Sequence, residues 1–320
     1  MRRVLQSALG GGAKNILSAV ALIMLLVALS VQLPVIGFFL SLLIPLPLLY
    51  YRQKFGRQAA AMVLVVVLAL IAVIIGWATI DWLFFAELLW LGFVLGELFE
   101  WRLSIEKTVL YTLIAVVGCG SICLFIYSNL SGTDIFAFIS EYVRKNLELT
   151  LSLYESMGVS QENIHMIASS LDTLQFVMVR ILPSLIAVAV LVVTWTSILL
   201  ARPLFKKGGL LFPDFGSLKY WKAPEPLVWV AIASGLLLLL PDRNFKIWGM
   251  NACLFLMTIY FFQGIAIVSY FFNKKQIPFL LRFFLYSLIA LQQIFLLIVI
   301  GIGFFDVWLN FRKIKPASNS

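Results

Sequence analysis

Charged side chains are scarce in this sequence. They make up 12% of 320 residues, while 62% are hydrophobic and the mean hydropathy is +1.02. A soluble domain carries about 25% charged residues, so the bilayer is the solvent for most of the chain. The apolar runs are long and unbroken, which fits helices of about 20 residues per crossing and excludes an outer-membrane barrel. Histidine is nearly absent: the single His165 lies outside the apolar runs, leaving no metalloprotease pair and no Ser/His/Asp or Cys/His set. The three cysteines, Cys119, Cys123 and Cys253, all sit in apolar runs and give no disulfide framework. Cys119 and Cys123 share a helix face and read as small packing residues. The stretch FKKGGLLF lacks the Gly-x4-Gly-Lys-Ser/Thr spacing of a phosphate-binding loop. The expectation is a protein with no enzymatic activity, metal or cofactor. An intramembrane enzyme built on Glu97 and Glu100 has no motif behind it. No long internal repeat is present.

The net charge of +9 does not point to nucleic acid. It gathers in short loops between apolar runs, the positive-inside pattern that sets membrane orientation. Arg52, Lys54 and Arg57 mark one cytoplasmic loop, Arg102 and Lys107 another, and Lys274 and Lys275 a third. The N-terminus begins MRRVLQ, and Ala28-x-Ser30 mimics a cleavage site. With so many spans following, the first segment reads as an uncleaved helix with a cytoplasmic N-terminus. The spans fall at about 16–32, 35–51, 59–79, 82–100, 107–127, 174–201, 227–240 and 245–272. The last apolar run, 277–309, would be roughly 50 Å long as one helix, too long for a core of about 30 Å. A break at Gln292–Gln293 makes it a short hairpin and returns Arg312, Lys313 and Lys315 to the cytoplasm. The fold class is therefore all-α, a polytopic bundle of eight to ten membrane segments.

Three regions differ in composition. Residues 1–129 hold the N-terminal membrane helices. Residues 130–172 hold six acids and two bases, with Asp134, Glu141, Glu148, Glu155 and Glu162 repeating every seven residues. That repeat is the solvated stripe of an amphipathic helix. Gly158 ends it, and Ser160 caps the next helix, giving an acidic hairpin outside the membrane. Residues 173–320 hold the C-terminal membrane helices, interrupted by a cytoplasmic elbow at 202–225. The elbow carries Arg202, Lys206, Lys207, Lys219 and Lys222 among Phe212, Phe215, Tyr220 and Trp221. Such a mix suits lipid headgroups or a docked protein partner.

The stretch IDWLFFAELLWLGFVLGELFEW, 80–101, keeps four carboxylates in an apolar run. Asp81, Glu97 and Glu100 lie at its boundaries and read as interfacial anchors, paired with Arg102 or Lys107. Glu87 lies roughly 9 Å inside, where an ionisable group needs a partner or a wet cavity. Arg180 is at matching depth; Asn251, Gln263 and the Gln292–Gln293 pair are neutral candidates. Two readings stay open: a Glu87–Arg180 bridge joining two helices, or a small-molecule site. Gly92-x-x-x-Gly96 on the same helix permits close helix approach, on a face nearly opposite Glu87. Bends are expected at Pro45-Leu-Pro47, at Pro183 and at the Gly118-Cys-Gly120-Ser121 run.

Four stretches carry a resemblance in order: FAELLWLGFVLGELFEWRLSIEKTVL (85–110), GVSQENI…VRILPSLIAV (158–188), ARPLFKKGG…YWKAPEPLVWV (201–230) and IGIGFFDVWLNFRK (300–313). Together they resemble the YybS-like bacterial membrane proteins (DUF2232), a domain family of unknown function. That family is distantly similar to the substrate-binding S components of energy-coupling-factor vitamin transporters. The resemblance implies a compact helical bundle, both termini cytoplasmic, with a small-molecule pocket opening outward. S components dock their partner through small residues at i,i+4 on the first helix. Here segment 1 has Ala19, Ala21 and Ala28 with no Ala-x-x-x-Ala. Two functions follow as expectations: a solute-binding or transport subunit, or a non-catalytic scaffold docking partners through the acidic hairpin or the basic elbow.

Overall fold

The computed structural model describes residues 2–77, 79–132 and 134–313; Lys315 lies outside them. Among the described residues the regular structure is helical. Seven helices are long and apolar enough to cross a membrane, or eight if the bent pair at 279–309 counts as one span. The protein is a multi-pass membrane protein, and its many exposed large hydrophobic side chains, such as Val73 and Phe279, are lipid-facing surface. The chain forms two compact units: 1–132 with 189–215, and 133–188 with 216–320.

The first unit contains α1 (Arg2–Gln32), α2 (Pro34–Ser41), α3 (Pro45–Phe55), α4 (Arg57–Ile75), α5 (Ile80–Glu100), α6 (Ile105–Ser131) and the end of α8 (Gln161–Lys207). Pro34 and Pro45 begin helices rather than bending them, because the first turn has no backbone N–H bond for proline to lose. Thr79 caps α5 by accepting from Trp82 N at 3.2 Å, and Ser104 caps α6 by accepting from Lys107 N at 3.4 Å. α5 is the central helix: 61% of an apolar 18-residue stretch of it is buried, against 22–44% of the corresponding stretches of the other spans that lie wholly within this unit. At Gly118-Cys-Gly120-Ser121, where a bend is expected, α6 keeps its helical assignment without a break. Glycine alone does not open a helix whose remaining backbone bonds are kept in an apolar medium.

The second unit contains α7 (Ile135–Ser156), the start of α8, a 3-10 turn at Leu218–Tyr220, α9 (Leu227–Leu239), α10 (Arg243–Lys274), α11 (Phe279–Leu291) and α12 (Gln293–Leu309). Asp134 caps α7 by accepting from Ala137 N at 3.0 Å. Gly158, at φ +76°, makes the turn that only a residue without Cβ adopts freely, and the Ser160 carbonyl accepts from Ile164 N at the start of α8. The turn between α7 and α8 thus falls where Gly158 and Ser160 predict it. The break at Gln292 is also found, but as a bend of 99° between α11 and α12 rather than a tight hairpin. α10 and α12 cross at two glycines: a side chain on Gly264 would meet the Val299 backbone, and one on Gly303 would meet that of Tyr260. This is the close approach that small residues permit in membranes.

Pro183 was expected to interrupt segment 6, yet α8 is one helix of 47 residues, about 70 Å long. The reason lies on α10. The Ser184 amide donates to Asn251 Oδ1 at 3.3 Å, and Asn251 Nδ2 donates to the Arg180 carbonyl at 2.9 Å. The Asn251 amide thus bonds the α8 backbone on both sides of Pro183, whose missing N–H leaves the Val179 carbonyl without its helical donor. Asn251→Leu should cost about 1–3 kcal/mol by leaving both backbone groups unpaired in the protein interior. In a Pro183→Ala background, where the helix can close its own bonds at this turn, the same substitution should cost much less. Thermal melting of the four proteins in detergent measures the coupling; equal losses in both backgrounds would contradict it.

Candidate functional site

α5 carries its four acids on different sides, and they meet different fates. Asp81 lies in the exposed first turn. Glu97 and Glu100 are ion-paired, but not with Arg102 or Lys107 as expected. Arg52 Nη2 lies 2.8 Å from Glu97 Oε2 and 3.2 Å from Glu100 Oε1, and Arg57 Nε lies 2.9 Å from Glu97 Oε1. Arg52, assigned to a solvated loop by the sequence pattern, has a side chain with no exposure at all. It occupies the last turn of α3 and crosses over α5 at Gly96, where any Cβ would collide with its stem. Its guanidinium carbon also stands 5.2 Å from the Phe93 ring centroid. Gly92 gives the same close approach one turn earlier, against the Pro45 backbone. The glycine pair thus seats α3 on α5, and the acids neutralise the arginine this brings inside.

Glu87 is the exception. It is half-buried, and among the described residues of its own unit no cation lies within ion-pair distance of it. Its carboxylate lies against Gly120 of α6, so that a methyl group there would strike Oε1. The unbroken Gly118–Ser121 stretch of α6 therefore supplies space for this side chain rather than a kink.

The other candidates lie in the second unit, where the structure shows what each one holds. Arg180 donates from Nη1 to the Phe176 carbonyl at 3.2 Å and stacks on the Phe176 ring. Asn251 patches α8 as described. Gln263 of α10 is buried in a polar network. It donates to Asp306 Oδ2 at 3.2 Å and accepts from Ala223 N at 3.1 Å. Asp306 also accepts from Arg312 Nη2 at 2.8 Å and Phe311 N at 2.9 Å. Arg312 Nη1 donates to the carbonyls of Lys219 and Trp221, both at 2.9 Å. Gln292 is exposed at the α11–α12 bend, its carbonyl accepting from Phe295 N and Leu296 N. Sequence reasoning did not single out Arg52, Asp306 or Arg312. The available signal was a lone carboxylate, Asp306, inside the last apolar run, six residues before an arginine.

The basic elbow divides between the units. Lys206 and Lys207 are exposed in the last turn of α8. Phe212 and Phe215 pack edge-on against Phe99 and each other, with ring centroids 5.4–5.8 Å apart. They are therefore tied to α5 rather than free for headgroups. In the second unit, Lys219, Trp221 and Lys222 lie on the stretch that Arg312 clamps. Trp221 packs on the Ala223–Leu256–Tyr260 core. Lys222 Nζ donates to Asn310 Oδ1 at 3.1 Å, and Lys219 Nζ stands over the Tyr220 ring.

Residues 21–307 match the model of a family described as "Predicted membrane protein (DUF2232)". No curated protein and no solved structure matches the chain.

Neither Asp306 nor Arg312 has any side-chain exposure. Asp306→Ala should destabilise the protein by about 3–5 kcal/mol, because it leaves a buried arginine without its counter-charge. Asp306→Ala combined with Arg312→Met should cost less than the single change. Limited trypsin digestion at Lys219 and Lys222 should accelerate in the single variant as the elbow is released. Unchanged melting and cleavage would show that the network does not hold the elbow.

Proposed function

The chain belongs to the DUF2232 family of membrane proteins, and from that premise we propose that it is a non-catalytic subunit that binds a small cationic or protonatable solute at Glu87. The single observation behind this is the carboxylate itself. An unpaired intramembrane acid is expensive and is retained where it serves a function. Glu97, Glu100 and Asp306 all have arginine partners in their own units, whereas Glu87 has none in its own and lies against Gly120. A fixed carboxylate in a low-dielectric setting favours a cation over a neutral or anionic ligand. The loop charges support a bacterial cytoplasmic-membrane setting with the N-terminus inside. This reading agrees with what the likeness to transporter S components implies, an outward-opening pocket, without fixing a substrate.

A scaffold role is the second reading, favoured by α7. That helix is amphipathic over 22 residues and buries none of them, leaving Tyr142, Leu149, Leu153 and Tyr154 exposed. Native mass spectrometry of the full chain from mild detergent separates the two. For the binding subunit, the wild type should carry a reproducible small-molecule adduct. Its occupancy should fall at least tenfold in Glu87→Gln, and also in Gly120→Ala, whose methyl group displaces the carboxylate. A wild type with no adduct and a copurifying protein would overturn solute binding and favour the scaffold.

A further inference from the structure

A second feature, independent of Glu87, lies in the first unit between α1, α3 and the end of α8. We propose that it seats one anionic phospholipid, with an acyl chain in an apolar groove and the headgroup at a set of unpaired lysines. The groove holds about 360 Å³, and its lining includes Leu22, Leu26, Leu46, Tyr50, Tyr51 and Leu204. Leu46 is buried in its wall, whereas Leu22 and Leu204 are exposed at its edge. The α1 and α3 parts of the lining belong to helices long and apolar enough to cross a membrane, so the groove opens on lipid-facing surface. An empty apolar groove forfeits the dispersion contacts of its lining, and a hydrocarbon chain is what the bilayer supplies to restore them.

One end of the groove is polar. The hydroxyls of Ser18 and Tyr51 hydrogen-bond at 2.8 Å and join α1 to α3 there. Leu26 is about 12 Å further along α1, so the groove runs inward from this hydroxyl pair. The Tyr50 ring packs edge-on against Phe205 of α8, with centroids 6.2 Å apart. Its hydroxyl lies against Gly208, where a methyl group would come within 2.8 Å of it. Lys54 Nζ stands 5.8 Å from the centroid of the same ring. Lys206 and Lys207 directly precede Gly208, and all three lysines are exposed. Among the described residues none of the three has a carboxylate within ion-pair distance. Glu97 and Glu100, on the neighbouring helix α5, are taken up by Arg52 and Arg57. Basic clusters at the ends of membrane helices recognise anionic headgroups, and lysine holds phosphate as a point charge. A lipid without net charge would leave the ammonium groups without a counter-charge. A soluble anion would leave the groove unfilled.

The test uses the delipidated full chain in a maltoside detergent, which carries no phosphate. Phosphatidylglycerol and phosphatidylcholine with identical acyl chains are titrated separately by native mass spectrometry. The wild type should bind phosphatidylglycerol at least fivefold more tightly. Lys54→Gln should reduce that preference at least threefold, as should Lys206→Gln combined with Lys207→Gln. Leu22→Trp, at an exposed lining position, should fill the groove and weaken phosphatidylglycerol binding at least fivefold with all three lysines kept. Lys274→Gln combined with Lys275→Gln removes the same charge from a basic loop of the second unit and should change it by less than twofold. Equal affinity for the two lipids would overturn the seat and mark ordinary lipid contact. Unchanged binding in Leu22→Trp would overturn it as well. So would equal losses in the two double-lysine variants, which would mark unspecific attraction to surface charge.

Discussion

A charge fully shut away from water needs a counter-charge inside the protein, and each unit is organised around one such pair. In the first unit this requirement operates through Arg52. The arginine is carried inward because Gly92 and Gly96 let α3 lie directly on α5, and it is tolerated there because Glu97 and Glu100 meet it. The pair with Arg57 at the exposed end adds little, since water screens it. In the second unit the same requirement operates through Asp306. Its two oxygens collect an arginine, an amide side chain and a backbone N–H, and through Arg312 they fix a stretch of chain whose only regular structure is one 3-10 turn. Both sites place a buried charge beside a glycine-mediated helix crossing. Close backbone approach and charge neutralisation are one arrangement seen from two sides.

What could be read in the sequence was what neighbouring residues decide. The heptad of acids marks α7, Gly158 and Ser160 mark its turn, and the paired glutamines mark the bend before α12. Each depends on residues within a turn or two of each other. Pro183 shows where such reasoning stops. Locally it predicts an interruption, and the helix continues with Asn251, 67 residues beyond Ser184, bonding the backbone beside the proline. The charge pairs behaved in the same way. Arg102 and Lys107 are the sequence neighbours of Glu97 and Glu100, whereas the partners come from α3 and the start of α4. A count of charges per loop reports orientation, not pairing, and so it placed Arg52 in water.

The candidate residues sort by the same logic. Asn251 and Gln263 looked like neutral ligand groups because amides in apolar runs are rare. Each instead completes backbone bonding inside the second unit. Arg180 looked like the partner of Glu87 on depth alone, yet its stacking partners are aromatic. Only Glu87 keeps the property that first drew attention to it, a charge in an apolar helix with no counter-charge in its own unit.

The clamp on the elbow has a consequence for how the protein is made. Arg312 is 93 residues later in the chain than Lys219, whose carbonyl it binds. At a synthesis rate of about 5–20 residues per second, the elbow waits roughly 5–20 seconds for its clamp to leave the ribosome. Throughout that interval α9, α10, α11 and α12 are made while the segment before them stays unfastened. Its backbone carbonyls and Trp221 are then open to whatever assists insertion. The second unit is therefore assembled in an order opposite to the one its contacts suggest: the membrane helices come first, and the stretch that precedes them is locked last.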